Sequence, residues 1–241
     1  MADLGSASDP LSLAGRRALV TGAAGAIGGA ARAVLEAHGA RVHPTDLEGE
    51  GMDPCDVADP RAVEDLVARA AGSLGGLDIL VHAAGITRDR VLWKLSDEEW
   101  RRVLAVNLDS AFHLLRAAAP HLRASGNGAV VLVSSINGER GKFGQANYAA
   151  SKAGLIGLGR TAARELGTFG VRVNVVAPGL IETPMTAGLS EELKARALEE
   201  TALGRIGRPE DVARGIFFLC SDLARHVTGQ VLRIDGGQLM A

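Results

Sequence analysis

The chain has 241 residues, of which 47% are hydrophobic and 22% are charged, and its net charge is −2. This length and composition are typical of one large α/β domain of a soluble enzyme. A charge so close to zero provides no broad basic surface, which disfavours nucleic acid as a partner, and no apolar run approaches the roughly 18 residues that a membrane-spanning helix requires.

Apolar runs that predict strands alternate with helical segments along the first half of the chain. Strands are predicted at 16–21, 41–45 and 79–83, and helices at 27–38 and 61–71. A capping box that begins at Ser96 opens a long helix toward His121, and Pro120 is expected to kink that helix or to end it.

The second half of the chain continues the alternation. Further strands are predicted at 129–133, 172–176 and 231–234, and helices at 148–166 and 209–219. Continuously apolar strands separated by helices indicate a parallel sheet that is covered on both faces. We therefore predict an α/β, doubly wound Rossmann fold of about seven strands in a single domain, residues 13–241, after a flexible segment, residues 1–12.

One connection is too short for the regular pattern. The segment between Asp46 and Asp56 contains Gly49 and Gly51, and a parallel crossover normally takes about 10–12 residues including its helix. The helix between the second and third strands is therefore predicted to be missing or reduced to one turn.

A glycine-rich segment follows the first strand and opens the first helix. Its spacing, with Gly22, Gly25, Ala26, Ile27 and Gly28, is that of a dinucleotide-binding turn, in which glycines let the backbone approach a pyrophosphate. The helix N-terminus adds free N–H groups and the positive end of its dipole. The segment therefore predicts a coenzyme site.

The acid at the end of the second strand bears on the choice of coenzyme. Asp46 stands where a carboxylate hydrogen-bonds the ribose hydroxyls and repels a 2′-phosphate, although an Asp there can also cap a turn. Ala24 in the glycine segment and Leu47 after the acid supply no cation. We predict NAD(H) in preference to NADP(H). Asp56 and Val57 either flank the adenine or, in the case of Asp56, cap a helix near Pro60.

Tyr148 is the only tyrosine of the chain, and Lys152 follows it by one helical turn. An ammonium beside a phenol favours the phenolate and so lowers a pKa that is ordinarily about 10. The pair is predicted to donate or accept a proton near neutral pH. By itself, the same spacing also fits two neighbours on a solvated helix face.

The order of these motifs resembles that of the classical short-chain dehydrogenases/reductases over nearly the whole chain after residue 13. The resemblance rests on the glycine segment together with Ala83, Ala84, Gly85, Asn107, Ser135, Tyr148 and Lys152. Four segments are similar to the bacterial 3-oxoacyl-(acyl-carrier-protein) reductase branch: 84–89, 144–150, 174–179 and 235–237.

The resemblance implies a role for each matching residue. Tyr148 would be the general acid or base, Lys152 would lower its pKa and bind the nicotinamide ribose, Ser135 would hold the substrate oxygen, and Asn107 would order a proton-relaying water. The remaining implied coenzyme contacts are Asp56, Val57 and Ala83 on the adenosine side, Ile181 and Thr183 at the nicotinamide carboxamide, and also Gly85, Pro178 and Gly179.

Several side chains receive structural interpretations. His82 replaces the first Asn of the family's usual Asn-Asn-Ala-Gly and is predicted to be structural, and Ser134 is predicted to point away from the site. The histidines, together with Cys55 and Cys220, show no metal-ligand spacing, so no metal site is predicted. Reduced cysteines and the lack of a secretory signal predict a cytoplasmic protein.

The region 180–205 is predicted to be a lid over the substrate. Its apolar side chains, Met185, Leu189, Leu193 and Leu198, suit an acyl chain or a ring better than a sugar. The predicted enzyme is an oxidoreductase of 3-oxoacyl thioesters, with a dehydrogenase of small or cyclic secondary alcohols as the alternative and a non-catalytic dinucleotide sensor as a remote one. Uncharged segments at 126–128 and 167–170 favour a CoA thioester or a free substrate over an acyl carrier protein, and the family resemblance implies a homotetramer.

Overall fold

The computed structural model describes residues 9–188 and 190–240. Most of the predicted flexible segment, residues 1–8, lies outside the described residues, as does Leu189 of the predicted lid. Residues 9–12 are exposed and form a turn in which the Ser12 N–H donates to the Asp9 carbonyl, whereas Leu13 is buried. The boundary of a flexible segment at residue 12 stays a prediction.

The strands form one parallel sheet, as predicted. Its seven members lie in the order β3-β2-β1-β4-β5-β6-β7. They are β1 (Arg17–Thr21), β2 (Arg41–Asp46), β3 (Asp53–Pro54), β4 (Ile79–His82), β5 (Ala129–Val133), β6 (Arg172–Pro178) and β7 (Val231–Ile234). Strands β1 to β3 are added toward one edge of the sheet and β4 to β7 toward the other, so the strand order reverses between β1 and β4. At such a point an open α/β sheet leaves a crevice at the carboxyl ends of its strands.

Helices cover both faces of the sheet. They are α1 (Ala26–Ala37), α2 (Pro60–Leu74), α3 (Asp97–Leu104), α4 (Ser110–Ser125), α5 (Ile136–Arg140), α6 (Ala146–Leu166), α7 (Pro184–Ala187), α8 (Glu191–Glu199) and α9 (Pro209–Cys220). Residues 47–52, which join β2 to β3, contain only bends and a turn, so the predicted loss of that helix is confirmed.

Two apolar layers, one on each face, form the core. Alternate strand residues such as Leu19 and Leu80 face α2, α4 and α6, whereas their neighbours Val20 and Val81 face α1 and α9. The inner strands are buried along their whole length because both faces are covered. This core holds the carboxyl ends of β1, β4, β5 and β6 along one edge.

The structure departs from the prediction of one long helix in two respects, since a π-helical turn interrupts it and it does not end at Pro120. A five-residue π-helical turn, Ala105–Asp109, separates α3 from α4, and α4 continues through Pro120 to Ser125. Pro120 lies on the exposed face, where water can replace the backbone donor that proline lacks. Leu114, Ala118 and Leu122 of the opposite face are fully buried, so their packing carries the helix past the proline.

Candidate functional site

The glycine turn after β1 is shaped by close backbone contacts. Gly22 has φ +68°, and a Cβ there would lie 2.6 Å from the Ala84 nitrogen. A Cβ at Gly28 would lie 2.0 Å from the Gly22 carbonyl oxygen, so α1 packs directly against the turn. Gly25 precedes α1, and Ala26, Ile27 and Gly28 form its first turn, whose N–H groups lack intrahelical acceptors. This cradle fits the pyrophosphate of a dinucleotide.

The Asp46 carboxylate is held in place at the end of β2. One oxygen accepts a hydrogen bond from the Ala24 N–H at 3.0 Å, and the other accepts one from the Leu47 N–H at 2.8 Å. Each oxygen keeps capacity for a further donor, such as a ribose hydroxyl. The exposed Leu47 side chain beside it carries no charge.

These residues line one cleft of about 230 Å³ at the crevice between β1 and β4. The cleft brings together seven of the residues predicted to bind the coenzyme: Gly22, Gly25, Asp46, Asp56, Val57, Ala83 and Gly85. The other lining residues are Leu47, Cys55, Ala84, Ile86, Arg102 and Val106. The sequence reasoning did not identify Arg102, whose position depends on how α3 packs.

The structure distinguishes the two interpretations of Asp56. The carboxylate that caps α2 belongs to Asp59, which accepts from the Arg61 N–H at 2.9 Å. Asp56 instead lines the cleft and lies 3.4 Å from the Arg102 guanidinium. Its contact with adenine stays a prediction that this position supports.

Tyr148 and Ser135 meet at the carboxyl end of β5. Tyr148 lies in the first turn of α6, and Ser135 caps the short helix α5, accepting from the Asn137 N–H at 3.1 Å. The Ser135 hydroxyl lies near enough to the Tyr148 phenol to affect its pKa. Burial raises the pKa of the phenol, and the neighbouring Ser135 hydroxyl opposes this only in part.

Lys152 lies one turn further along α6 and is almost completely buried. Its ammonium donates to the Val133 carbonyl at 2.8 Å and lies 5.6 Å from the centre of the Tyr148 ring. Burial lowers the pKa of Lys152 to about 8. The pKa of Tyr148 is thus raised rather than lowered as expected, with desolvation of the phenol as the largest cause and the charge of Asp89 acting in the same direction.

Asn107 is placed by the π-helical turn. Its amide accepts from the Ile86 N–H at 2.8 Å and donates to the Ile86 carbonyl at 3.0 Å. It also donates to the Ser151 hydroxyl at 3.0 Å, which in turn donates to the Tyr148 carbonyl. Asn107 thus ties the loop after β4 to the first turn of α6.

His82 is structural, as predicted, and its tautomer follows from its partners. The Ser110 hydroxyl donates to the Val106 carbonyl at 2.6 Å, so it accepts from His82 Nε2 at 3.1 Å. Nδ1 then accepts from the Thr21 hydroxyl at 2.8 Å. Burial lowers the pKa of His82 to about 3, which keeps the ring neutral. Ser134 is also structural, since its hydroxyl donates to the Lys152 carbonyl.

The predicted nicotinamide-side residues follow β6 at the same edge of the sheet. Ile181 is buried, pairs with Gly207, and lines a separate cavity of about 520 Å³ together with residues of β7. Pro178 ends β6, Gly179 lies against Asp235, and Thr183 precedes α7. Among the described residues, these four do not line the glycine-turn cleft.

The predicted lid contains α7 and α8. Met185, Leu193 and Leu198 expose apolar side chains, and Leu203 is 68% exposed. Glu200, at the end of α8, accepts a hydrogen bond from Arg140 of α5 at 2.9 Å. The lid is therefore attached to the helix that Ser135 caps. Within residues 9–188 and 190–240, no three His, Cys, Asp or Glu side chains are grouped as metal ligands.

The chain is similar to known proteins over nearly its whole length. A family described as enoyl-(acyl carrier protein) reductase matches residues 22–238. The chain is 42% identical to the 3-oxoacyl-(acyl-carrier-protein) reductase FabG of Thermotoga maritima, over 94% of this chain and 99% of that protein. It is 39% identical to the FabG of Escherichia coli K12, over 95% and 100% respectively.

A solved structure has the same fold. It is described as a short-chain alcohol dehydrogenase from Sinorhizobium meliloti 1021, with a TM-score of 0.92 and 35% sequence identity. The match covers 95% of this chain and 98% of that one. Among the helices of the described residues, none is both long and apolar enough to cross a membrane.

Proposed function

Because the chain belongs to the short-chain dehydrogenase/reductase family, and is an oxidoreductase that acts on CH–OH or keto groups, we propose that its substrate is a 3-oxoacyl thioester and that its coenzyme is NAD(H). The observation that carries the proposal is the placement of the Ser135 hydroxyl near the Tyr148 phenol and beside Lys152, at the same sheet edge as the glycine-turn cleft.

The proposed roles follow from the hydrogen-bonding capacity of each group. A carbonyl oxygen that becomes an alkoxide needs preplaced donors and a proton, and the Ser135 hydroxyl and the Tyr148 phenol are such donors. Two O–H donors that meet at one point suit a C=O group better than a C=C bond. The bound nicotinamide supplies or accepts the hydride.

Lys152 and Asn107 support the reacting pair. The buried ammonium lies beside the Tyr148 ring and favours loss of the phenolic proton during alcohol oxidation. Its pKa of about 8 leaves it mostly protonated at neutral pH. Asn107 fixes the loop over Lys152, since a Cβ at Gly85 would lie 3.3 Å from the ammonium and 3.4 Å from the Asn107 amide oxygen.

The preference for NAD(H) rests on the charges at the ribose position. A 2′-phosphate there would meet the fixed Asp46 carboxylate, while Ala24 and Leu47 offer it no cation. Hydroxyl groups, in contrast, would find a carboxylate that is already oriented by two backbone N–H groups. The preference is therefore electrostatic and does not depend on the shape of the cleft alone.

The lid supports a substrate with an apolar chain or ring. Met185 and Leu193 are about half exposed on it and are therefore available to contact an apolar group. Of the three cations near the uncharged segments, Arg140 is paired with Glu200 and Arg123 lies over the Phe169 ring, whereas Lys142 is exposed. We therefore favour a CoA or free substrate over docking of an acidic carrier protein. A small or cyclic secondary alcohol is the alternative substrate.

We further propose a cytoplasmic homotetramer built on α4 and α6. Cys55 and Cys220 are buried free thiols, and burial raises their pKa values to about 11 and about 12, so neither is a reactive thiolate. Exposed small residues on α6, Ala153 and Gly157, would allow a partner helix to approach closely.

The test is reduction of acetoacetyl-CoA followed by coenzyme absorbance at 340 nm, with NADH and NADPH compared by kcat/KM. We expect turnover with a higher kcat/KM for NADH, and loss of nearly all turnover in Tyr148→Phe with the affinity for NADH retained. A higher kcat/KM for NADPH would contradict the coenzyme assignment, and full turnover in Tyr148→Phe would contradict the mechanism. If only cyclic or small ketones are reduced, the alternative substrate class is correct; if no substrate is turned over, NADH binding alone would indicate a sensor.

A further inference from the structure

Arg102 is the only cationic side chain among the described residues that line the glycine-turn cleft. It lies in the last turn of α3, and both of its terminal nitrogens are 3.4 Å from one carboxylate oxygen of Asp56. The other Asp56 oxygen accepts from the Ala58 N–H at 3.0 Å. The pair therefore joins α3 to the loop after β3 at the mouth of the cleft, with both side chains held in place.

The ion pair has little to do with the stability of the fold. Arg102 is 45% exposed and Asp56 is 41% exposed, and pairs this exposed contribute almost nothing to stability. The adjacent Arg101 makes a comparable pair with Asp97 of its own helix, but it does not line the cleft. What distinguishes Arg102 is that its guanidinium forms part of the wall of a binding site.

The chemistry of the pair fits a purine. A guanidinium is planar and stacks on aromatic faces, and a carboxylate accepts hydrogen bonds from an exocyclic amine. The pair lies beside Val57, whose apolar side chain also lines the cleft. One end of the cleft thus presents a planar guanidinium, a carboxylate that can accept a hydrogen bond from an amine, and an apolar side chain.

We propose that Arg102 is a coenzyme-binding residue that covers the adenine ring and, through its bond to Asp56, orients the carboxylate that accepts from the adenine amine. This inference rests on the proposed dinucleotide function. The Asp56 carboxylate beside the guanidinium would repel a 2′-phosphate, which agrees with a preference for NAD(H).

The experiment measures binding of the adenosine half alone by calorimetric titration with AMP and, separately, 2′-phospho-AMP. Arg102→Ala is expected to raise the Kd for AMP about two- to fivefold, the range for an exposed cation–π contact. Arg102→Gln, which keeps the length of the side chain and removes the charge, is expected to weaken AMP in the same direction. The matched control is Arg101→Ala, which should bind AMP like the parent protein.

The outcomes distinguish binding of adenine by Arg102 from binding of a phosphate and from a protein that binds no dinucleotide. An unchanged Kd for AMP in both Arg102 variants would overturn the inference, provided that thermal unfolding shows both to be folded. A loss of binding that is confined to 2′-phospho-AMP would also overturn it, because Arg102 would then be a phosphate ligand. If the parent protein binds neither AMP nor NADH, the proposed dinucleotide function itself fails, which is a different result from normal binding by the Arg102 variants.

Discussion

Lys152 illustrates how burial controls the chemistry of a single residue. The spacing of Tyr148 and Lys152 predicted a lowered phenol pKa, yet the phenol pKa is raised and that of the ammonium is lowered to about 8. The sequence predicts which side chains share a helix face. It does not predict how much water each one loses, because residues distant in sequence, such as Val133 of β5 and Gly85 after β4, lie against the ammonium.

The lowered pKa of Lys152 predicts a stability that rises with pH. In the unfolded chain the lysine binds its proton up to about pH 10.5, whereas in the fold it loses it near pH 8. Between these values the unfolded state holds more protons, so the free energy of unfolding increases with pH. From pH 7 to pH 10, we expect the free energy of unfolding of the parent protein to rise by about 2 kcal/mol relative to that of Lys152→Met.

Denaturant unfolding at a series of pH values measures this difference. Lys94→Met is the control, because it makes the same substitution at an exposed lysine and so separates burial from the loss of a charge. Subtracting the Lys152→Met curve removes the titration of all other groups from the comparison. A difference that stays constant over this pH range would show that Lys152 titrates in the fold as it does in water.

At the scale of elements, the strands and long helices were predictable and the short insertions were not. The apolar runs and the capping box predicted β5, α6 and the start of α3 within a few residues. The π-helical turn and α5 were missed, since each occupies only five residues and leaves no periodic pattern. These two elements position Asn107 and Ser135, so the sequence named candidate site residues but not the short elements that hold two of them.

The contact between α5 and α6 predicts a specific sensitivity at Gly138. A Cβ there would lie 2.7 Å from the Lys152 carbonyl carbon and 2.9 Å from the Lys152 Cβ. Gly138→Ala should therefore push α5 away from α6 and displace both Ser135 and Lys152. We expect the free energy of unfolding to fall by about 1–3 kcal/mol and kcat to fall with it.

Gly72→Ala provides the matched control for this change. Gly72 lies inside α2, and no neighbouring heavy atom lies within 4 Å of the position that an added methyl group would take. Alanine there should therefore stabilise the helix by roughly 0.5–1 kcal/mol. Urea unfolding and steady-state kinetics measure both variants. Equal stabilities for Gly138→Ala and the parent protein would mean that α5 adapts without cost.

At the scale of the whole molecule, the two faces of α6 differ in burial, because one packs on the sheet and the other points away from it. Gly159 and Leu155 face the sheet, and a Cβ at Gly159 would lie 2.8 Å from a Val175 methyl group. Gly157 points away from the sheet, and a Cβ there would meet no neighbouring heavy atom within 4 Å. A glycine in the interior of a helix lowers stability relative to alanine, unless a neighbouring group packs so closely that a side chain would not fit. Within one chain, none of the described residues packs closely against Gly157. This is consistent with a partner helix that packs there in the proposed tetramer.

Gly157→Arg tests this assembly directly. In a single chain the arginine would extend into solvent and favour the helix, but in a tetramer built on α6 it would occupy the space of the partner helix. We expect light scattering after size exclusion to give four chain masses for the parent protein and a smaller assembly for Gly157→Arg. Gly72→Arg, which also introduces an arginine at an open position inside a helix, should remain tetrameric. If both variants keep the mass of the parent protein, the subunits do not meet at this face of α6.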